Sequence, residues 1–227
     1  MVAVPRPRLV GQNRSVKIIC VGRNYAEHAA ELGDEPPAEP LLFGKFPSTL
    51  IGPGEPIVLP LEATHVDAEA ELCVEIGRTG RRIGEDDALD HVRGYRVADD
   101  LSARNLQYSD GQWTRAKGFD TFCPLGTELV PVSELGDGGG LRVVQRLNGE
   151  TLQDGNTADL IFPVRVLVAY ISAVFTLEPG DLLLTGTPPG VGWARDPKVA
   201  LADGDVVEVE VEGIGVLRNP VVAERAA

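Results

Sequence analysis

Glycine and proline interrupt this chain along its whole length, 26 and 17 of them among 227 residues, and leave little room for long helices. Between them lie short runs rich in β-branched and aliphatic residues. Residues 16–21, 57–59, 69–76, 94–98, 141–147, 181–185 and 206–211 read as strands. Helical patterns are fewer. Residues 24–32 start on a capping-type residue, Asn24, and stop at Gly33; residues 101–107 follow two aspartates. The clearest helix spans 164–175, where Val164, Leu167, Val168, Ile171, Val174 and Phe175 share one stripe behind Pro163. Strands and helices do not alternate regularly. The expectation is a mainly β (α+β) fold rather than a doubly wound parallel sheet. No break in composition divides the chain, which predicts one domain over 17–227 after a short extension over 1–16.

Charge narrows the function. With 34 acidic and 21 basic residues the net charge is −13, which argues against binding a phosphate backbone. The longest apolar stretch, 164–175, carries Arg165 and falls short of the roughly 20 residues that cross a bilayer. The first ten residues hold Pro5, Arg6, Pro7 and Arg8 with no apolar run behind them, unlike a secretory signal. Three scattered cysteines, Cys20, Cys73 and Cys123, form no disulfide framework and suit a reducing cytoplasm.

Some of the excess carboxylates are patterned. From Glu69 to Ile76 the residues alternate, with Ala70, Leu72, Val74 and Ile76 on one face and Glu69, Glu71, Cys73 and Glu75 on the other. Side chains two apart on a strand are about 6.5–7 Å apart at Cα, so two carboxylates can reach one cation. All-oxygen donors suit Mg²⁺ or Mn²⁺, and the lack of a His/Cys cluster disfavours zinc. The same alternation recurs at Glu208, Glu210 and Glu212, where the simplest meaning is the wet face of an antiparallel strand. The pattern alone does not separate the two segments. Asp99 and Asp100 close a predicted strand ahead of a helix; on the residues alone, helix capping leads over ligation. His28 and Glu31, three apart on a short helix, are spaced for an oriented general base, or for an ordinary surface pair. Lysines number only four, and Lys45 and Lys117 both lie in apolar settings that suit pairing with an anion.

Several motifs, in order, give the chain a family resemblance. They are Cys20-Val21-Gly22-Arg23-Asn24-Tyr25-Ala26-Glu27-His28, Phe43-Gly44-Lys45-Phe46-Pro47-Ser48, Glu69-Ala70-Glu71-Leu72 and Asp100-Leu101-Ser102-Ala103-Arg104-Asn105-Leu106-Gln107. Lys117-Gly118-Phe119-Asp120, Gly155-Asn156-Thr157, Ile161-Phe162-Pro163 and Thr185-Gly186-Thr187-Pro188-Pro189-Gly190-Val191-Gly192 follow. Together they resemble the fumarylacetoacetate hydrolase superfamily, in its branch of acylpyruvases, oxaloacetate decarboxylases and homocatechuate-pathway decarboxylase/isomerases, from about Lys17 to Val222.

The resemblance implies a mixed β-sandwich roll with short helices, a homodimer, and a Mg²⁺ or Mn²⁺ ion on Glu69, Glu71 and Asp100. It implies a catalytic His28–Glu31 dyad on a helix that orders over the site as a lid. Arg23, Gln107, Lys117 and Thr187 would contact a small 2-oxo acid, Lys117 also adding positive charge beside the developing enolate. The implied chemistry is C–C cleavage through an enolate: acylpyruvate hydrolysis, oxaloacetate decarboxylation, or both, giving pyruvate. The alternative is isomerisation of 2-hydroxyhepta-2,4-diene-1,7-dioate or decarboxylation of 5-oxopent-3-ene-1,2,5-tricarboxylate in aromatic catabolism; an acidic, non-enzymatic divalent-cation-binding interaction module is the other. A divalent ion would take the three ligands from −3 to −1 and let an acidic protein accept an anionic keto acid. Three departures bear on the site. Asp99 stands where asparagine is common and Glu75 where an apolar residue is usual, adding negative charge near the metal. The short spacer from Gln107 to Lys117 leaves less room for substrate-specific contacts.

Overall fold

The structure, a computed structural model, describes residues 16–225. The extension expected over 1–16 lies outside these residues except for Val16, which packs against a small apolar cluster. Two sheets face each other. One has six strands in the order Val130–Pro131, Val92–Asp99, Ala70–Ile76, Leu182–Leu184, Ile18–Gly22 and Leu41–Lys45. The other has five, in the order Glu150–Asn156, Arg142–Leu147, Val206–Val211, Gly215–Ala223 and Ile57–Leu59. Pairing is mixed: Ile18–Gly22 runs parallel to Leu182–Leu184 and antiparallel to Leu41–Lys45. The fold is therefore the mixed β-sandwich with short helices that the sequence implied.

The strand Ala70–Ile76 sits inside the larger sheet and is buried along its whole length. Its Ala70, Leu72, Val74 and Ile76 join the main core with Val143, Val207, Val209 and Val211 of the second sheet. The opposite face is also covered. Cys73 lies beside Leu184, which lies beside Cys20, in a smaller cluster with Ile18, Leu50, Ala98 and Cys123. Glu69 and Glu71 share that second face.

The register decides what meets there. Glu71 pairs with Ala98 and Ala70 with Asp99, so the next residue on the neighbouring strand's side, Asp100, lies against Glu69, its N–H donating to the Glu69 carbonyl at 2.9 Å. Asp100, Glu71 and Glu69 therefore collect at one corner of the sheet. At the other end of the strand Glu75 is gripped by Arg93 and Arg96, each at 2.7 Å. Its charge is neutralised by that pair and does not add to the carboxylates at the other corner.

The predicted helices are present with changed edges. The long one covers Val164–Val174, with Val164, Leu167, Val168 and Ile171 buried. Val174 and Phe175, assigned to the same stripe, are instead 56% and 39% exposed. Asn24 does not cap the short helix Ala26–Glu31; Tyr25 holds the cap position without a side-chain bond. The next helix begins only at Arg104, capped by Ala103, because Ser102–Ala103 first pairs with Val66–Asp67. Neither Asp99 nor Asp100 caps it. Glu208 and Glu210 do lie on the open face of the second sheet, paired with Arg218 and Arg146.

Candidate active site

At the sheet corner a cleft of about 230 Å³ opens, lined by Arg23, His28, Glu69, Glu71, Asp100, Gln107, Lys117 and Thr187 among others. Every predicted site residue except Glu31 lines it, and Glu31 touches His28. Ligand pockets for drug-sized molecules run from about 300 Å³ upward, so this one suits a smaller ligand.

Glu69, Glu71 and Asp100 are buried, and one carboxylate oxygen from each lies within 4.8 Å of the others. The Glu-x-Glu pair is thus no solvent-facing strand. Cations crowd two of the three. Lys117 Nζ donates to Glu69 at 2.6 Å and Asp100 at 2.7 Å, Lys45 donates to the other Asp100 oxygen, and Arg104 reaches Glu69 at 2.6 Å. Burial alone would raise the Glu69 carboxyl, but Lys117 and Arg104 outweigh it and hold it well below the usual carboxylate range. Glu71 is the exception. It accepts the Gly186 N–H at 2.7 Å and, among the described residues, has no ion-pair partner. Burial, then repulsion from Asp100 and Glu69, pushes its carboxyl up. Three convergent carboxylates, one lacking a counter-charge, fit a hard divalent cation held by oxygen.

Arg104, to which the sequence assigned no role, organises this corner. Its guanidinium is buried and forks onto Asp67 through Nε at 3.0 Å and Nη2 at 2.9 Å. Nη1 donates to Gln107 Oε1 at 2.9 Å, which leaves the Gln107 amide N–H groups as its free donors. Asp67 in turn accepts the N–H groups of Gly192 and Trp193. Thr187 Oγ1 donates to the Ala70 carbonyl and accepts from Gln153, so it offers the cleft little beyond a remaining lone pair. Asp67, Glu69, Glu71 and Asp100 set against Lys45, Arg104 and Lys117 sum to −1 rather than the −3 of the triad alone, and a divalent ion would bring these groups to +1. Asp99, buried beside them, accepts the Glu69 N–H at 2.8 Å, and burial pushes its carboxyl up to about 7.

The His28–Glu31 pair is not a loose surface contact. His28 is buried, its Nδ1 is 2.7 Å from Glu31, and Glu31 also accepts the Gly190 N–H at 2.8 Å. Against a carboxylate Nδ1 carries the proton, which puts the imidazole lone pair on Nε2. The helix is seated by Asn24, whose side chain donates to Phe162 and Thr185 carbonyls and accepts the Phe162 N–H.

Comparison with known proteins matches these features. Residues 17–222 fit the model of the fumarylacetoacetate (FAA) hydrolase C-terminal family. The chain belongs to this family. It is 48% identical over 208 residues to the mitochondrial oxaloacetate tautomerase fahd2 of Xenopus laevis, covering 91% of this chain and 65% of that protein. To the rat mitochondrial oxaloacetate tautomerase Fahd2a it is 45% identical, over 96% of this chain and 71% of that one. It spans about two thirds of the length of these relatives. Among solved structures, fumarylpyruvate hydrolase from Pseudomonas aeruginosa in complex with Mn²⁺ and pyruvate superposes with a TM-score of 0.85 at 32% identity, covering 96% of this chain and all of that one. 5-Carboxymethyl-2-hydroxymuconate delta-isomerase from Mycobacterium smegmatis gives 0.83 at 43%, over 93% and 80%.

Within the family framework, one expectation changes. The short spacer between Gln107 and Lys117 is not poor in contacts, because Tyr108, Gly111 and Trp113 all line the cleft. Trp113 lies edge-on to Phe43, with ring centroids 5.2 Å apart. It is seated against Gly22, where a Cβ would come within 2.5 Å of the indole. Arg104 and Asp67 were the less legible members. Lys45 announced itself by its apolar neighbours, whereas a buried arginine inside a helical run gives no comparable signal.

Proposed function

We propose that the chain is a divalent-cation-dependent enzyme that forms the enolate of a small 2-oxo acid, with oxaloacetate as its first substrate. The supporting observation is that a carboxylate triad and the free Nε2 of His28 share one small cleft. The names of the relatives, oxaloacetate tautomerases at 45–48% identity and a hydrolase structure holding Mn²⁺ and pyruvate, point the same way. Glu69, Glu71 and Asp100 would hold Mg²⁺ or Mn²⁺, and the bound ion would polarise the 2-oxo group as a Lewis acid. The remaining work falls to side chains. Gln107, its oxygen occupied by Arg104, donates to the keto acid. His28 Nε2 removes a proton from C3, and Glu31 stabilises the imidazolium. Lys117 supplies positive charge beside the developing enolate.

Delivering that proton to the 2-oxo oxygen gives the enol and completes the tautomerisation, and the reverse transfers return the keto form; loss of the C4 carboxylate of oxaloacetate as CO₂ instead leaves the enolate of pyruvate, which takes a proton at C3 to give pyruvate. Acylpyruvate hydrolysis is the second reading. It requires in addition that His28 activate a water, for which the carboxylate-backed imidazole is equipped. Isomerisation of a 2-hydroxydienoate needs proton transfer only, and the chain resembles isomerase structures as well. A purely cation-binding module has no use for a buried, oriented imidazole. The reading includes a homodimer, supported by the apolar edge strand Leu41–Lys45, which has a partner strand on one side only among the described residues.

Oxaloacetate keto–enol interconversion, followed by ultraviolet absorbance, and pyruvate release from oxaloacetate and acetylpyruvate test this. Both are expected to require Mg²⁺ or Mn²⁺ and to stop with EDTA. His28→Ala should slow proton transfer by about 10²–10⁴-fold. Turnover indifferent to EDTA contradicts the metal assignment, and full tautomerisation by the His28 variant contradicts the base.

A further inference from the structure

Away from the carboxylates the cleft has a second charged end. Lys117 Nζ, between Glu69 and Asp100, lies 5.0 Å from the Phe43 ring; Phe43 meets Trp113; and the Arg23 guanidinium lies 5.7 Å over the Trp113 ring. These contacts set an order from the inner corner outward. Arg23 ends the series, ion-paired with Asp34 at 2.8 Å, each side chain about one-third exposed. Both line the cleft. Arg23 has φ +56°, a conformation sparsely populated by residues other than glycine, so its place over the indole is held against a backbone preference. Asp34 follows the helix that carries His28 and Glu31: Gly33, at φ +80°, turns the chain, and the Asp34 N–H donates to the Ala29 carbonyl at 2.9 Å. The ion pair therefore joins the residues flanking that helix.

A guanidinium at the far end of a 2-oxo acid cleft would ordinarily recruit a second carboxylate on the substrate. Here a protein carboxylate already takes that role. We infer that Asp34 is a specificity determinant that occupies Arg23 and so withholds it from long 2-oxo acids bearing a carboxylate at the distal end. Short acids, oxaloacetate among them, bind at the inner corner, and a longer tail is accommodated along Trp113 when it is uncharged. A distal carboxylate has to displace Asp34 from Arg23 and meets its negative charge as it approaches. This rests on the cleft being the 2-oxo acid site.

The test uses two unreactive ligands of equal length, 2-oxoadipate with a distal carboxylate and 2-oxohexanoate with a methyl group in its place. Their dissociation constants are measured by calorimetry on the Mn²⁺-loaded protein. Asp34→Asn should shift the affinity ratio toward 2-oxoadipate by about fivefold, the scale of a partly exposed ion pair. Asp34→Glu, which keeps the charge, should leave the ratio near that of the parent protein. Adding Arg23→Met to Asp34→Asn should erase the shift. An unmoved ratio in Asp34→Asn, with both ligands binding, overturns the inference, as does a shift that survives loss of Arg23. If neither ligand binds the parent protein or any variant, the 2-oxo acid reading of the cleft is what fails, and the role of Asp34 fails with it.

Discussion

Glu71 shows how one residue exposes the purpose of its neighbours. Glu69 and Asp100 are neutralised by Lys45, Arg104 and Lys117, yet Glu71 is 2% exposed and has only a backbone N–H from Gly186. An unpaired buried carboxylate destabilises the metal-free protein, and a bound cation recovers that loss. Replacing Glu71 with Gln keeps the shape and removes the charge. The Glu71→Gln variant should gain about 1–2 kcal/mol without metal, which for a domain of this size corresponds to roughly 2–8 °C in Tm. The rise in Tm that Mn²⁺ gives the parent protein should disappear in the variant. Calorimetric melts with Mn²⁺ and with EDTA check both; a metal-free variant that melts lower, or retains the Mn²⁺ shift, contradicts this role. Apart from the family motifs, the residues point to Glu71 through an alternation that Glu208 and Glu210 share. What separates the two segments is cover: Glu71 is roofed by a second cluster containing Cys20, Cys73 and Cys123, while Glu208 and Glu210 face arginines and solvent.

Among the elements, those with a period in the sequence were readable and those built by partners were not. The strand Val206–Val211 carries its burial pattern in its alternation and the helix Val164–Val174 carries most of its own, whereas Ala70–Ile76 shows its strand period but not the cover over its second face. The strand Glu150–Asn156 is polar and was missed, although Asn148-Gly149, with φ of +52° and +85°, forms the tight turn that pairs it with Arg142–Leu147. The start of the helix at Arg104 differs from the expected one because Ser102–Ala103 pairs with Val66–Asp67, partners 35 and 37 residues apart in sequence and invisible to a local pattern. Asn24 illustrates the same limit. It looked like a helix cap, and it is a tie between segments, making three hydrogen bonds to Phe162 and Thr185 across 138 and 161 residues. The consequence is testable at this scale. Asn24→Ala leaves the part-buried carbonyl of Phe162 and the buried carbonyl of Thr185 short of a donor and should cost about 2–4 kcal/mol, and it should loosen the helix that presents His28. Urea unfolding checks the first expectation. Hydrogen exchange checks the second, as faster exchange at Ala29 and Leu32, whose N–H groups close that helix. Full protection there, with stability unchanged, would show that Asn24 is dispensable.

At the scale of the whole molecule the described residues leave sheet edges open, the polar strand Glu150–Asn156 in one sheet and an apolar strand in the other. The strand Leu41–Lys45 ends the six-stranded sheet with a partner, Ile18–Gly22, on one side only. Around it Leu41, Phe46, Val174 and Phe175 are 38–56% exposed, and a hollow of about 470 Å³ is lined by Val16, Ile18, Leu42, Phe43 and Phe175. An open strand edge beside clustered apolar side chains invites association unless it is covered. The exposed Val174 and Phe175, which the helical stripe would have placed inside, make sense if a second copy covers them. This edge also reaches the active site from behind, since Phe43 supports Trp113 and Lys45 holds Asp100. A dimer formed through this edge would link assembly to the candidate site through one strand. Light scattering should give a mass twice the 24.2 kDa of the chain. Phe46→Glu with Phe175→Glu should yield a monomer, because two carboxylates would have to be buried in the contact without partners. The monomer should keep its far-ultraviolet circular dichroism, as neither side chain belongs to the core, while its affinity for Mn²⁺ falls as the Lys45–Asp100 contact loosens. A parent protein that is monomeric at micromolar concentration would refute the dimer, and a monomeric variant with undiminished Mn²⁺ affinity would cut the link between edge and site.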